Sequence, residues 1–203
     1  MAPAQPGMPI DRRERSYYLD SVFPYRLAIM SELKWADELG RKGHQVVLGG
    51  ESIAMHCHHY NINLQKMLED NLGPEGVRLL VKAAEMANYS GFRALLRQYP
   101  RVKTLKSKLE MASVMFQNCG LGIIHFQSIR ASGGVIVSPS NHHVTGWLAK
   151  HGRRDTAGCH FVRGWIAGAL EAIYRQPVGH YTIEETCCKM KRDPECVFEV
   201  KVR

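Results

Sequence analysis

The sequence predicts an α+β fold in which an antiparallel sheet packs against helices. Apolar residues first recur at helical spacing, over residues 52–118, and then at the shorter period of strands, over residues 121–137. The same succession follows again, with helices predicted over residues 142–174 and strands over residues 180–202. Helices and hairpins in this order are typical of an antiparallel sheet with helices on it.

Three helices are predicted before residue 120, after a short β-type run at Val46–Leu48. The first helix starts near Ser52 and stops before Pro74, which suits the first turn of the second. Gly120 is a natural terminator for the third. We expect residues 1–20 to be a flexible tail, and residues 21–119 to be a mainly helical part that forms one compact domain with residues 120–203.

The first hairpin is predicted to turn at Gly133–Gly134, and a second turn with a helix cap is predicted at residues 138–141. A strong helix follows over residues 159–174, with Gly164 and Gly168 one turn apart. A glycine inside a helix costs roughly 1 kcal/mol relative to alanine. We therefore expect another backbone to pack closely against both glycines. In the last strand, Phe198, Val200 and Val202 share the face that should point inward.

Composition narrows the possible functions. The net charge is +8, but the basic residues are scattered and no helix-turn-helix or zinc-finger pattern is present, so we expect no direct nucleic-acid binding. No apolar stretch approaches the roughly 18 residues of a membrane span. The N-terminus lacks the pattern of a signal peptide, and the six cysteines suit reduced thiols or metal ligands. Together these features predict a cytoplasmic protein.

A cysteine-rich motif near the C-terminus predicts a metal site. Glu185, Cys188 and Cys196 form the pattern E-x2-C-x7-C, and Cys159 stands upstream at the predicted start of a helix. Thiolates and a carboxylate are ligands that zinc accepts in a closed tetrahedral site. Cys187 is adjacent to Cys188, so either could be the third ligand. The alternative interpretation is three buried thiols and a surface glutamate.

Histidines form a second group of candidate residues. His56 and His59 lie on one predicted helix face with Tyr60, whereas His58 should point elsewhere. The remaining candidates, on a strand and on a later helix, are His125, His142, His143 and Trp147. We expect these residues to contact a bound ligand. The alternatives are structural histidines, or a second metal held by His56 and His59 together with His142 or His143.

Two segments of the chain resemble the 4-vinyl reductase domain family. One is a cysteine leading into a helix with a G-x3-G pattern, Cys159–Gly168, and the other is E-x2-C-x7-C followed by an aromatic strand, Glu185–Val200. The family includes archaeal hydrocarbon-binding proteins and the sensor domains of phenol- and xylene-responsive transcriptional activators. The match covers about residues 120–203. Cys187 departs from the pattern, as does Pro194 in a loop that often contains glycine.

The resemblance implies a fold related to nitric-oxide sensor domains and to a vesicle-tethering subunit. It also implies a ligand cavity and frequent homodimers. In the phenol sensors a zinc ion is held by Cys, Glu, Cys and Cys, which correspond here to Cys159, Glu185, Cys188 and Cys196. A histidine and a tryptophan of those sensors hold the phenol hydroxyl. Trp147 with His142 or His143 would do the same in this chain.

Two functions of different class follow. The first is a binding protein for a small hydrophobic or aromatic molecule, with a structural zinc-type site. The alternative is a metal-dependent enzyme that acts on a hydrophobic or tetrapyrrole-like substrate and uses the His56 and His59 cluster. No nucleotide-binding loop, serine nucleophile elbow or dinucleotide-binding pattern is present.

Overall fold

The computed structural model describes residues 39–48, 51–54 and 57–203, all within one compact unit that spans Trp35–Arg203. The predicted tail, residues 1–20, lies outside the described residues. Within the described part of the chain, no helix is long and apolar enough to cross a bilayer.

Three short antiparallel strands come first: β1 (Leu39–Lys42), β2 (Gln45–Leu48) and β3 (Glu51–Ile53). Strand β2 contains the β-type run that the sequence predicts. The predicted helix start near Ser52 is wrong, because Ser52 pairs with Val47 across the β2–β3 ladder. Pairing with the adjacent strand β2 outweighs the helical pattern here, and helix α1 begins at His58 and ends at Leu72.

The next two helices agree with the prediction. Helix α2 spans Pro74–Gln98 and has its proline in the first turn. Helix α3 spans Leu105–Asn118, and the Thr104 side chain caps it by accepting a hydrogen bond from the Ser107 backbone N–H. Gly120 follows the helix with a φ of +73°, a conformation that glycine adopts readily.

The main sheet has four antiparallel strands in the order β4-β5-β7-β6. They are β4 (Gly122–Phe126), β5 (Gly133–Asn141), β6 (Tyr181–Cys187) and β7 (Cys196–Val202). Helices α4 (His142–His151) and α5 (His160–Tyr174) lie between β5 and β6 in sequence. The predicted α+β class, with helices packed on an antiparallel sheet, is confirmed.

Two predicted turns are wrong. Gly133 and Gly134 open strand β5 and pair with Lys201 and Val200, while the turn lies just before them. A Cβ on Gly134 would overlap the Ser128 carbonyl oxygen, so glycine is needed for close backbone approach and not for the turn. Residues 138–141 continue β5, and a register irregularity opposite them accommodates Pro139.

Helix α5 is the centre of the core. Its residues are buried along most of its length, and Trp165 packs edge-on against Phe116 at 4.9 Å between ring centroids. Gly164 and Gly168 lie against helix α2, where added Cβ atoms would overlap the carbonyl oxygens of Val81 and Glu85. The predicted close backbone approach is confirmed. On β7, Phe198 and Val200 are buried as expected, whereas Val202 is exposed.

Candidate functional site

Four predicted metal ligands converge at one end of helix α5. Cys159 is its N-cap residue, Glu185 and Cys188 lie at the end of β6, and Cys196 begins β7. Their ligand atoms all lie within 4.8 Å of one another. The Sγ atoms of Cys159 and Cys196 are 3.7 Å apart, far beyond a disulfide bond length. Two sulfurs bound to one tetrahedral zinc would be about 3.8 Å apart.

A strand irregularity selects which cysteine joins the cluster. The β6–β7 register shifts between Glu185 and Cys187, so regular alternation is broken there. After the shift, Cys188 is fully buried at the cluster and Cys187 is only partly buried outside it. Of the two cysteines between which the sequence left the choice open, the structure therefore places Cys188 with the other three predicted ligands.

The donor set fits a cation. Glu185 accepts a hydrogen bond on Oε2 from the Cys159 backbone N–H at 2.8 Å, but its buried Oε1 has no partner among the described residues. Burial and the neighbouring Cys188 raise the pKa of Glu185 to about 8. Hydrogen bonds from Cys159 and Cys196 lower the pKa of Cys188 far below that of an ordinary thiol. A bound cation would stabilise the anionic forms of these donors, which burial otherwise disfavours.

Asn141 connects the cysteine cluster to helix α4. Its Nδ2 donates to the Sγ atoms of Cys159 and Cys196 at 3.5 and 3.7 Å. Its Oδ1 accepts from the Val144 N–H at 3.0 Å, which caps α4. The backbone N–H of Lys189 also donates to Cys196 Sγ at 3.4 Å. Such hydrogen bonds orient metal ligands, and here one residue also fixes the start of the helix with the ligand-contact candidates.

Two candidate residues of α4 are buried with unpaired polar atoms. His143 and Trp147 are 4% and 5% exposed. Within the described residues, neither ring nitrogen of His143 nor Nε1 of Trp147 has a hydrogen-bond partner. The His143 ring stacks on Phe161 at 4.9 Å. Burial, with His142 and His160 nearby, lowers the pKa of His143 to about 3, so this imidazole is neutral at physiological pH.

The other predicted histidines occupy different surroundings. His142 is half-buried, and its pKa is lowered by burial and by the neighbouring His58. His58, which the sequence places on another face, has its ring 6.0 Å from that of His142, whereas His59 and Tyr60 are exposed. His125 is half-buried on β4.

The second metal site stays a prediction, because His56 lies outside the described residues. Within those residues, the cysteine cluster is the group whose ligand atoms lie close enough together to hold an ion.

A polar network that the sequence analysis does not predict links α1 to α5. Glu69 on α1 lies 2.9 Å from both His160 Nε2 and Arg154 Nη1, and Gln65 donates to Glu69 and to the Gly158 carbonyl oxygen. Burial alone would raise the pKa of Glu69, but these hydrogen bonds lower it to about 2. Gln65 and Glu69 are four residues apart on one helix face, and this spacing is the sequence feature that relates them.

Arg154 extends this network to the candidate tryptophan. Its guanidinium carbon lies 4.5 Å from the centroid of the Trp147 ring. Helix α1, the loop before Cys159 and helix α4 therefore meet around Trp147.

Two surface grooves lie elsewhere. One of about 700 Å³ runs between α2, α3 and the end of α5, and one of about 420 Å³ lies along α2 near Arg163 and Arg203. None of the predicted ligand-contacting residues lines either groove.

Comparison with known proteins shows the fold. No protein-family profile and no curated protein matches the sequence. Among solved structures, the phenol-responsive sensory domain of the transcription activator PoxR, bound to phenol, is similar with a TM-score of 0.75 and 15% identity over 89% of this chain and 91% of that one.

Two further structures are more distant. A vinyl-4-reductase family protein from Methanocaldococcus jannaschii has a TM-score of 0.49 and 16% identity over 76% of this chain and 86% of its own. A trafficking protein particle complex subunit 3 from Naegleria fowleri, covalently bound to palmitic acid, has a TM-score of 0.50 and 15% identity over 71% of this chain and 91% of its own. The fold likeness to the phenol-responsive sensory domain agrees with the resemblance that the sequence predicts.

Proposed function

We propose that this protein binds a small aromatic or hydrophobic molecule bearing a hydroxyl group, and that a structural zinc ion holds the fold around the binding site. The observation that carries this proposal is the pair of buried residues His143 and Trp147 on α4, whose ring nitrogens have no hydrogen-bond partner among the described residues. The fold likeness to a domain that binds phenol supports it.

Buried polar groups are nearly always paired, because each unpaired one costs on the order of 1–3 kcal/mol. The indole N–H of Trp147 is a donor, and a neutral His143 offers one donor and one acceptor. A ligand hydroxyl can donate one hydrogen bond and accept others, so it would satisfy several of these atoms at once. The Phe161 ring stacked on His143 supplies an apolar neighbour for the aromatic body of the ligand.

Zinc would be held by Cys159, Glu185, Cys188 and Cys196. Four protein ligands fill a tetrahedral coordination sphere, which is typical of structural sites and leaves no open position for substrate. The ion would supply folding free energy by joining the start of α5 to the β6–β7 hairpin. Elemental analysis of the purified protein should give about one zinc per chain, and a metal-free but fully stable protein would contradict this part of the proposal.

Calorimetric titration with phenol and toluene tests the ligand site. Phenol should bind, and toluene, which lacks the hydroxyl, should bind at least tenfold more weakly. Trp147→Phe removes the indole N–H and should weaken phenol binding about tenfold. His44→Ala, which replaces an exposed histidine in the turn between β1 and β2, is the control and should leave binding unchanged. Equal binding of phenol and toluene, or equal affinity of Trp147→Phe and the unmodified protein, would contradict the proposal.

We also propose a homodimer in the reducing cytoplasm. Large apolar side chains are exposed on α1 and α2, including Met67 at 64% and Met86 at 54%, and covering them would be favourable. All six cysteines are free, which suits a reducing compartment. Light scattering should give twice the chain mass, and a single-chain mass at micromolar concentration would reject the dimer.

A further inference from the structure

The groove between α2, α3 and the end of α5 concentrates positive charge. Five basic side chains line it: Arg93, Arg97, Lys103, Lys108 and Arg175. None of the described residues that line it is acidic. Within the described part of the chain, none of the five makes an ion pair. Arg93 donates a hydrogen bond to the Tyr89 hydroxyl at 3.1 Å.

Helix electrostatics explain only part of this set. Cations are favourable at helix C-termini, which accounts for Arg97 near the end of α2 and Arg175 after α5. Lys103 and Lys108, however, flank the N-terminus of α3, where the helix dipole disfavours cations, and the first turn of α3 contains no acidic residue. Arg93 and Arg97 are four residues apart on α2, a spacing at which like charges repel. An anion in the groove would relieve each of these unfavourable interactions.

Arg175 adds an independent observation. It is the C-cap residue of α5, with φ of 59° and ψ of 37°, a left-handed conformation that usually selects glycine. A non-glycine residue there costs about 1–2 kcal/mol. Arg175 lines the groove together with the four other basic residues.

We propose that this groove binds an organic phosphate whose apolar or aromatic part lies on the groove floor. Leu96, Val102 and Ile173 provide apolar surface, and Tyr89 provides an aromatic ring. The volume of about 700 Å³ matches that of small-molecule sites. Arginine and lysine side chains pair with phosphate oxygens through charge-assisted hydrogen bonds. This site is separate from His143 and Trp147, neither of which lines the groove.

Titration calorimetry on the full chain, at fixed ionic strength, tests the proposal with three probes. Inorganic pyrophosphate measures recognition of the anion alone, while ADP and dihexanoyl phosphatidic acid add an aromatic base or acyl chains. One of the two organic phosphates should bind at least tenfold more tightly than pyrophosphate, which distinguishes a nucleotide-type from a lipid-type ligand. No binding of any probe at millimolar concentration, or no gain over pyrophosphate, would overturn the proposal.

Matched variants locate the binding. The Arg97→Glu, Lys103→Glu double variant should weaken the better probe at least tenfold. The Lys42→Glu, Arg130→Glu double variant makes the same change in net charge at exposed positions away from the groove, and it should weaken binding less than twofold. Equal losses in the two variants would mean non-specific attraction and would overturn the proposal.

The Arg175→Gly variant separates binding from folding. Glycine relieves the left-handed conformation, so the thermal midpoint should stay the same or rise. Affinity for the organic phosphate should nevertheless fall about tenfold, while phenol affinity stays unchanged. Unchanged organic phosphate affinity would show that Arg175 is only a helix cap and would overturn its place in the site.

Discussion

Single residues decide the chemistry of the cysteine cluster. Glu185 brings a carboxylate into a group of three buried sulfurs, and one of its oxygens has no partner among the described residues. Cys188 belongs to the group while its neighbour Cys187 does not, because the strand register shifts between Glu185 and Cys187. Because the two adjacent cysteines have different surroundings, replacing each one in turn tests which of them binds the metal.

Cys188→Ser should reduce the zinc content from about one ion per chain to well below half, because a serine hydroxyl is a poor zinc ligand at neutral pH. It should also lower the free energy of unfolding by several kcal/mol (roughly 3–5). Cys187→Ser is the matched control and should retain the metal and most of the stability. Elemental analysis and urea denaturation measure both effects, and equal metal loss in the two variants would remove Cys188 from the ligand set.

A second group of buried carboxyl side chains lies between α2 and α5. Glu171 and Glu85 are both buried, and each carboxyl group has one oxygen without a hydrogen-bond partner among the described residues. Glu171 Oε1 accepts from the backbone N–H groups of Gly179 and His180 at 2.9 Å. Lys82 Nζ lies 3.2 Å from Glu85. Burial and repulsion from Glu85 raise the pKa of Glu171 to about 7.

This shift predicts a pH dependence of stability. Between the unfolded pKa of about 4.5 and the folded pKa of about 7, the folded state holds more protons than the unfolded state. The contribution of Glu171 to stability should therefore fall as pH rises from about 5 to 8, by on the order of 1 kcal/mol. Glu171→Gln, which mimics the protonated acid, should remove this contribution to the slope, so that its thermal melts lose less stability over this range than those of the unmodified protein.

Glu69→Gln is the control for that experiment. The pKa of Glu69 is lowered to about 2, so its titration lies below the range studied and its replacement should preserve the slope. A slope that persists unchanged in Glu171→Gln would show that another group is responsible.

At the scale of elements, the α2–α5 crossing organises the core. Gly164 and Gly168 let the two backbones approach so closely that added Cβ atoms would overlap α2 carbonyl oxygens. Gly91, also helical, has open space around the position of an added Cβ. The same substitution at the two kinds of site should have opposite effects.

Gly168→Ala should destabilise the protein by about 2–3 kcal/mol, because the Glu85 carbonyl belongs to the helix backbone and cannot move aside. Gly91→Ala should stabilise it by up to about 1 kcal/mol through helix propensity. Equilibrium unfolding in urea measures both. A neutral Gly168→Ala variant would mean that the helices can separate at little cost.

Elements defined by local signals were predictable from the sequence, and those defined by pairing were not. Pro74 marks the start of α2, Gly120 follows the end of α3, and the cysteine spacing pointed to the residues that form the cluster. Ser52 follows a helical pattern yet pairs with Val47 in a hairpin, and the helical spacing of apolar residues does not report such pairing. Glu69 could not be predicted as a network member, since its partner His160 lies 91 residues away in sequence.

At the scale of the whole molecule, one residue connects the cysteine cluster to the proposed ligand site. Asn141 donates to two cluster sulfurs and caps α4, the helix that bears His143 and Trp147. Metal binding should therefore favour the same arrangement of α4 that ligand binding requires. Coupling of this kind is reciprocal, so each ligand changes the affinity for the other by the same factor.

Removing the metal should weaken both folding and ligand binding. A loss on the order of 5 kcal/mol of stability would lower the thermal midpoint by about 10–20 °C in a chain of this size. Chelator treatment should also weaken phenol binding about tenfold, because an α4 without a fixed start no longer holds His143 and Trp147 in place.

Asn141→Ala should keep the zinc but reproduce most of the loss in phenol affinity, since it removes the connection between the cysteine cluster and α4 and leaves all four ligands. If Asn141→Ala binds phenol normally, the two sites are independent and the ion stabilises the hairpin alone.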